Sequence, residues 1–78
     1  MESVTIDAKI DARGLNCPMP IVKTAQAMKA LATGQVLEVL ATDPGSVKDF
    51  EAWARSTGNP LLEQTLDGGV YRFVLRHR

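Results

Sequence analysis

A chain of 78 residues has room for one hydrophobic core, so residues 1–78 read as a single domain. With 45% hydrophobic and 23% charged residues, the composition is that of a globular fold and excludes a disordered chain. Nine basic residues balance nine acidic ones, which removes the overall electrostatic case for nucleic acid or an anionic membrane as the main partner.

Met1-Glu2-Ser3-Val4 lacks the basic-then-apolar pattern of a secretory signal. No apolar run approaches the roughly 18 residues of a membrane span. With a single unpaired cysteine, a reducing compartment is expected, the cytoplasm by default.

Val4, Ile6, Ala8, Ile10 and Ala12 alternate with Thr5, Asp7, Lys9, Asp11 and Arg13, the period of a strand with one buried face. Gly14 to Asn16 break it. From Pro18 to about Ala32 the pattern becomes helical, with Ile21, Val22, Ala25, Met28 and Ala32 on one face and Thr33-Gly34 as the stop. Gln35 to Thr42 is a second strand, placing Leu37, Val39 and Ala41 on one side.

Asp43-Pro44-Gly45-Ser46 is a turn with two possible caps for a second helix over Val47 to Thr57, buried along Val47, Phe50 and Ala54 with Trp53 on the flank. Gly58-Asn59-Pro60 ends it. Leu61 to Leu66 and Val70 to Arg76 flank Asp67-Gly68-Gly69, a hairpin signal. The order β-α-β-α-β-β predicts a two-layer α/β (α+β) sandwich, with two helices on one face of a four-stranded sheet and the first two strands parallel. Both helix N-termini then open on one sheet edge. If the third strand is also parallel, Cys17 shares that rim with Asp43, Ser46 and Asp67.

Cys17, the only cysteine, stands between that first strand and helix in Gly14-Leu15-Asn16-Cys17-Pro18-Met19-Pro20. Prolines are tolerated in the first turn of a helix and not deeper. A residue before proline avoids helical geometry, so Cys17 and Met19 both fit an N-cap, and the sequence does not distinguish them. Either choice sets the sulfur beside the positive end of a helix dipole, with Met19 and Ile21 supplying the nearest free amides. Arg13 adds positive charge; Asp43 and Asp67 oppose it. The expected thiol pKa lies below the free value of about 8.5.

The missing groups narrow the chemistry. The only histidine, His77, lies on the last strand, which runs away from the rim, so no Cys-His hydrolase pair forms. A zinc site lacks ligands, and no CxxC pair can cycle through an internal disulfide. What fits is a nucleophile that accepts a group, holds it and passes it on.

These residues resemble a known family. Gly14 to Pro20 is similar to the Cys-Pro-x-Pro signature of the small TusA/SirA-like sulfur carrier proteins, and DARGL (Asp11 to Leu15), ATDPGSVKDF (Ala41 to Phe50) and GGVYRFVLR (Gly68 to Arg76) are similar too. The likeness covers nearly the whole chain. It implies a mixed sheet of order 1-2-4-3, and a persulfide carried on Cys17 with Arg13, Gly14, Pro18, Met19 and Pro20 in support. It implies a cysteine desulfurase or rhodanese as donor, and a DsrE-like or other thiol protein as acceptor, serving tRNA thiolation or sulfur oxidation. Met19 stands where the tRNA branch often carries an acidic residue. No cofactor, metal, membrane or direct nucleic-acid contact is expected, and the resting chain is expected to be a monomer.

Plainer readings stand beside these. A free cysteine is most often a small buried hydrophobe. Pro18 and Pro20 can serve only as helix starters, Met19 as packing, and Asp43 as a turn residue rather than a catalytic acid. Arg72 and Arg76 with Lys9 or Arg13 form either a basic docking stripe or a solvated sheet face, and His77 reads as a frayed end. Two other functions compete with the carrier: a non-catalytic regulatory module in which Cys17 is dispensable, and a stand-alone thiol enzyme.

Overall fold

The computed structural model describes residues 5–78, so Val4 of the first expected strand lies outside the described residues. Its elements are β1 (Ala8–Ala12), α1 (Met19–Lys29), β2 (Val36–Ala41), α2 (Ser46–Thr57), β3 (Leu61–Asp67) and β4 (Val70–Arg76). The sheet order is β1-β2-β4-β3. β1 and β2 are parallel, in register Ala8 with Leu37 through Ala12 with Ala41. β4 is antiparallel to both of its neighbours, so β3 runs the same way as β1 and β2. The carboxyl ends of β1, β2 and β3 therefore lie on one edge of the sheet, and the chain enters both helices from that edge.

Alternation along the strands makes the core. Ile10 and Ala12, Leu37, Val39 and Ala41, and Phe73 and Leu75 point to the helix-covered face, where Met28 of α1 and Phe50 of α2 complete the cluster. Phe50 stacks on Phe73 with ring centroids 4.3 Å apart and 15° between planes, fastening α2 across β4.

On the opposite face Arg72 donates to Glu38 at 2.6 Å and to Glu63 at 3.2 Å, spanning β2, β4 and β3. Arg72 is spent on acidic neighbours, so it does not join Arg76 in a free basic stripe.

The hairpin turn Gly68-Gly69 has φ of +57° and +82°. Positive φ at both central residues is what a two-residue hairpin with matching twist requires, and glycine meets it without a Cβ clash.

The end of α1 and the state of His77 differ from expectation. α1 ends at Lys29 rather than near Ala32, because Ala30 N–H donates to Ala27 O and Leu31 N–H to Met28 O, tightening the last turn. Its inward face is Pro20, Thr24 and Met28, while Val22 and Ala32 are exposed. The hydroxyl of buried Thr24 donates to Pro20 O at 2.8 Å, so a polar residue sits on the inner stripe unpenalised. His77 is not frayed. Its N–H donates to Gln35 O and its carbonyl accepts from Gly34 N–H, both at 2.8 Å.

Candidate functional site

β1 ends at Ala12, and Gly14 turns the chain with φ +79°, its N–H donating to Thr42 Oγ1 at 2.9 Å. That bond ties the loop after β1 to the end of β2. Cys17 follows, exposed, with its peptide bond to Pro18 in the cis form. The helix begins at Met19. Pro18 is its N-cap and Pro20 its second residue, so neither Cys17 nor Met19 caps it. Pro20 is buried while Pro18 and Met19 are exposed, Met19 at 44%.

The loop after β2 closes on Cys17 from the other side. Cys17 N–H donates to Asp43 Oδ2 at 2.9 Å. The same side chain accepts Gly45 N–H through Oδ1 at 3.3 Å, and the Asp43 carbonyl accepts Ser46 N–H at 3.0 Å. Asp43 is thus a turn residue that also tethers the cysteine loop. Ser46 opens α2 and is buried. Asp67 lies on the same sheet edge but at the end of the outer strand β3, three strand positions from β1, or about 14 Å across.

Two electrostatic expectations are corrected here. The Arg13 guanidinium pairs with Asp11, Nε to Oδ1 at 2.8 Å and Nη2 to Oδ2 at 2.9 Å, and holds that carboxyl down to about 2. Its charge is directed to Asp11, not to the sulfur. Cys17 Sγ instead donates to Asp49 Oδ2 at 2.8 Å. The thiol is therefore pushed above its ordinary value, first by that hydrogen bond, then by desolvation and by the charges of Asp49 and Asp43. Of the two helix amides expected to face the sulfur, that of Met19 is taken up by Asn16 O at 2.9 Å. The sulfur's polar surroundings are carboxylates, those of Asp49 and Asp43.

Asp49 is the residue that the sequence reading missed. Its signal was an acidic side chain in the first turn of α2, where the dipole favours one, on a helix already expected to start at the cysteine's edge.

His77 lies at the other end of the sheet: β2 begins opposite Arg76 and ends opposite Tyr71, and Cys17 follows the end of the strand beside it. Among the described residues no group of three His, Cys, Asp or Glu is placed to hold a metal ion. No helix among them is long and apolar enough to cross a membrane.

The chain and its β-α-β-α-β-β sandwich are matched by known proteins. Residues 8–77 fit the family model described as sulfurtransferase TusA, and the chain belongs to that family. It is 51% identical over 70 residues to sulfur carrier protein TusA of Allochromatium vinosum, covering 90% of this chain and 92% of that protein. It is 38% identical over 78 residues to sulfur carrier protein TusA of Pseudomonas putida, covering 100% and 98%. The crystal structure of a SirA-like protein from Desulfitobacterium hafniense superposes with a TM-score of 0.79 at 28% identity, over 88% of this chain and 95% of that one.

Proposed function

We propose that the chain is a sulfur carrier that holds sulfane sulfur on Cys17 as a persulfide and hands it to another protein. The observation that carries this reading is the exposed thiol of Cys17 on the rim where both helices begin. Family membership and relatives named as sulfur carriers support it. So does the surroundings of the thiol. Clefts of the surface, one lined by Arg55, Asn59, His77 and Arg78 and another by Glu51, Ala54 and Leu61, lie away from Cys17. An open thiol suits a protein partner better than an enclosed small substrate.

In loading, Cys17 attacks the outer sulfur of a donor persulfide R–S–SH. A bond forms between Sγ and that sulfur, the donor's S–S bond breaks with its electron pair on the sulfur that stays on R, and the proton shed by Cys17 ends there. Cys17–SH and R–S–SH become Cys17–S–SH and R–SH, with no net oxidant. An acceptor thiol reverses the exchange. With one cysteine in the chain, no neighbouring thiol resolves the persulfide into a disulfide. Gly14, Pro18 and Pro20 shape the loop, and Met19 is an exposed apolar contact beside the sulfur.

The donor in this reading is a cysteine desulfurase or a rhodanese, and the acceptor a DsrE-like or other thiol protein, leading to tRNA thiolation or sulfur oxidation. The working form is a monomer in the cytoplasm, where an exposed thiol stays reduced. Intact-mass analysis tests it. After incubation with cysteine and a desulfurase, or thiosulfate and a rhodanese, the chain gains one sulfur that dithiothreitol removes and that Cys17→Ala never acquires. No gain with any donor overturns the reading.

A further inference from the structure

The remaining inference rests on the sulfur-carrier reading and concerns how the sulfur is kept and released. Cys17 Sγ donates to Asp49 Oδ2 at 2.8 Å, and Cys17 N–H donates to Asp43 Oδ2 at 2.9 Å. The charged groups around the thiol come from three elements. α2 presents Asp49, the loop after β2 presents Asp43, and the end of β1 presents Arg13, which is paired with Asp11. Lys23 of α1 acts on Asp11 as well. The Arg13 charge is taken up by Asp11, and the sulfur faces two carboxylates.

We propose that Asp49 is a latch on the reactive sulfur: it holds the empty carrier as a neutral thiol, and a positively charged side chain of the sulfur donor frees the thiolate by neutralising Asp49. A thiol can donate its hydrogen to a carboxylate. A thiolate has none to donate and meets that carboxylate as a like charge, so ionisation breaks the contact. The reactive form thus appears when a cation takes the carboxylate. Oxidation and alkylation also start from the thiolate, so the latched carrier is protected while it is empty. After loading, the outer sulfur bears the charge and is driven away from both carboxylates, outward toward an acceptor.

The test uses the free chain and needs no sulfur cargo. Iodoacetamide alkylation is followed from neutral to alkaline pH for the wild type, Asp49→Asn and Asp49→Glu. Asp49→Asn reacts several-fold faster at neutral pH, yet its alkaline plateau is lower, because a less basic thiolate is a weaker nucleophile. The two profiles cross, and Asp49→Glu keeps the wild-type shape. A purely structural role for Asp49 does not produce a crossing.

The second arm needs only charged probes. Wild type reacts faster with the cationic disulfide cystamine than with the anionic disulfide of thioglycolate, and the preference shrinks several-fold in Asp49→Asn. If that variant fails to fold, the wild-type preference must still fall as added salt screens the carboxylates. Superimposed pH profiles, or equal rates with both disulfides, overturn the latch. Absence of a sulfur adduct in the mass experiment defeats the carrier reading and leaves these thiol measurements standing, so the two failures are distinguishable.

Discussion

The backbone N–H of Cys17 reaches Asp43 Oδ2 at 2.9 Å across 26 residues of sequence, so the loop leaving β1 is pinned to the loop leaving β2. Reactive sulfur and tether belong to different crossovers, brought together by the parallel pairing of the two strands.

Asp43→Ala removes the acceptor for Cys17 N–H and for Gly45 N–H. A loss of about 1–2 kcal/mol is expected by denaturant titration, and Asp43→Asn, which keeps an acceptor oxygen, loses less. Both variants alkylate faster than wild type at neutral pH, because a negative charge near Cys17 is gone.

Phe50→Ala breaks the stack on Phe73 and leaves a cavity beneath α2. The expected cost is about 3–5 kcal/mol in urea or thermal unfolding, a large share of what so small a domain possesses.

The pH dependence of the thiol has a definite sign. Folding raises the Cys17 pKa by giving the thiol hydrogen a carboxylate partner. The stability from that hydrogen bond is present below the unfolded value, near 8.5, and is lost as pH rises through the higher folded value. Unfolding midpoints measured across alkaline pH fall more steeply for wild type than for Cys17→Ala. At the acid end, Asp11 is held down to about 2 by Arg13, so its contribution is present above the ordinary carboxylate range and disappears as pH falls toward that value.

Arg72→Ala leaves Glu38 and Glu63 without their shared partner on the outer sheet face. The pair with Glu38 is partly screened by water, so a loss of about 1 kcal/mol is expected, shrinking with added salt. Alkylation of Cys17 is unchanged, because the arginine lies on the face opposite the helices.

Much of this was legible before the structure. The alternation of Leu37, Val39 and Ala41 marks the inner face of a central strand, and the element order with its helix-entry turns puts Cys17 on the rim with Asp43. The start of α1 was not legible, because two consecutive pre-proline sites satisfy the same local rule. Its end was misread because Gly34 signals a stop, whereas hydrogen bonds to Ala27 and Met28 close the helix earlier.

The electrostatics of the sulfur misled for a different reason. Helix dipoles can be inferred from a pattern, but the pairing of Arg13 with Asp11 and of Asp49 with Cys17 depends on side-chain directions after folding. The Cys17–Asp49 contact joins positions 32 residues apart, and no local motif encodes it.

Asp49 and Phe50 are neighbours in the chain, one on the surface beside the thiol and the other fully enclosed. The ring wedged against Phe73 permits α2 little freedom to roll about its own axis. Swapping that aromatic for a smaller residue should therefore blur the acidity of a sulfur it never touches, making interior carpentry a hidden determinant of surface reactivity.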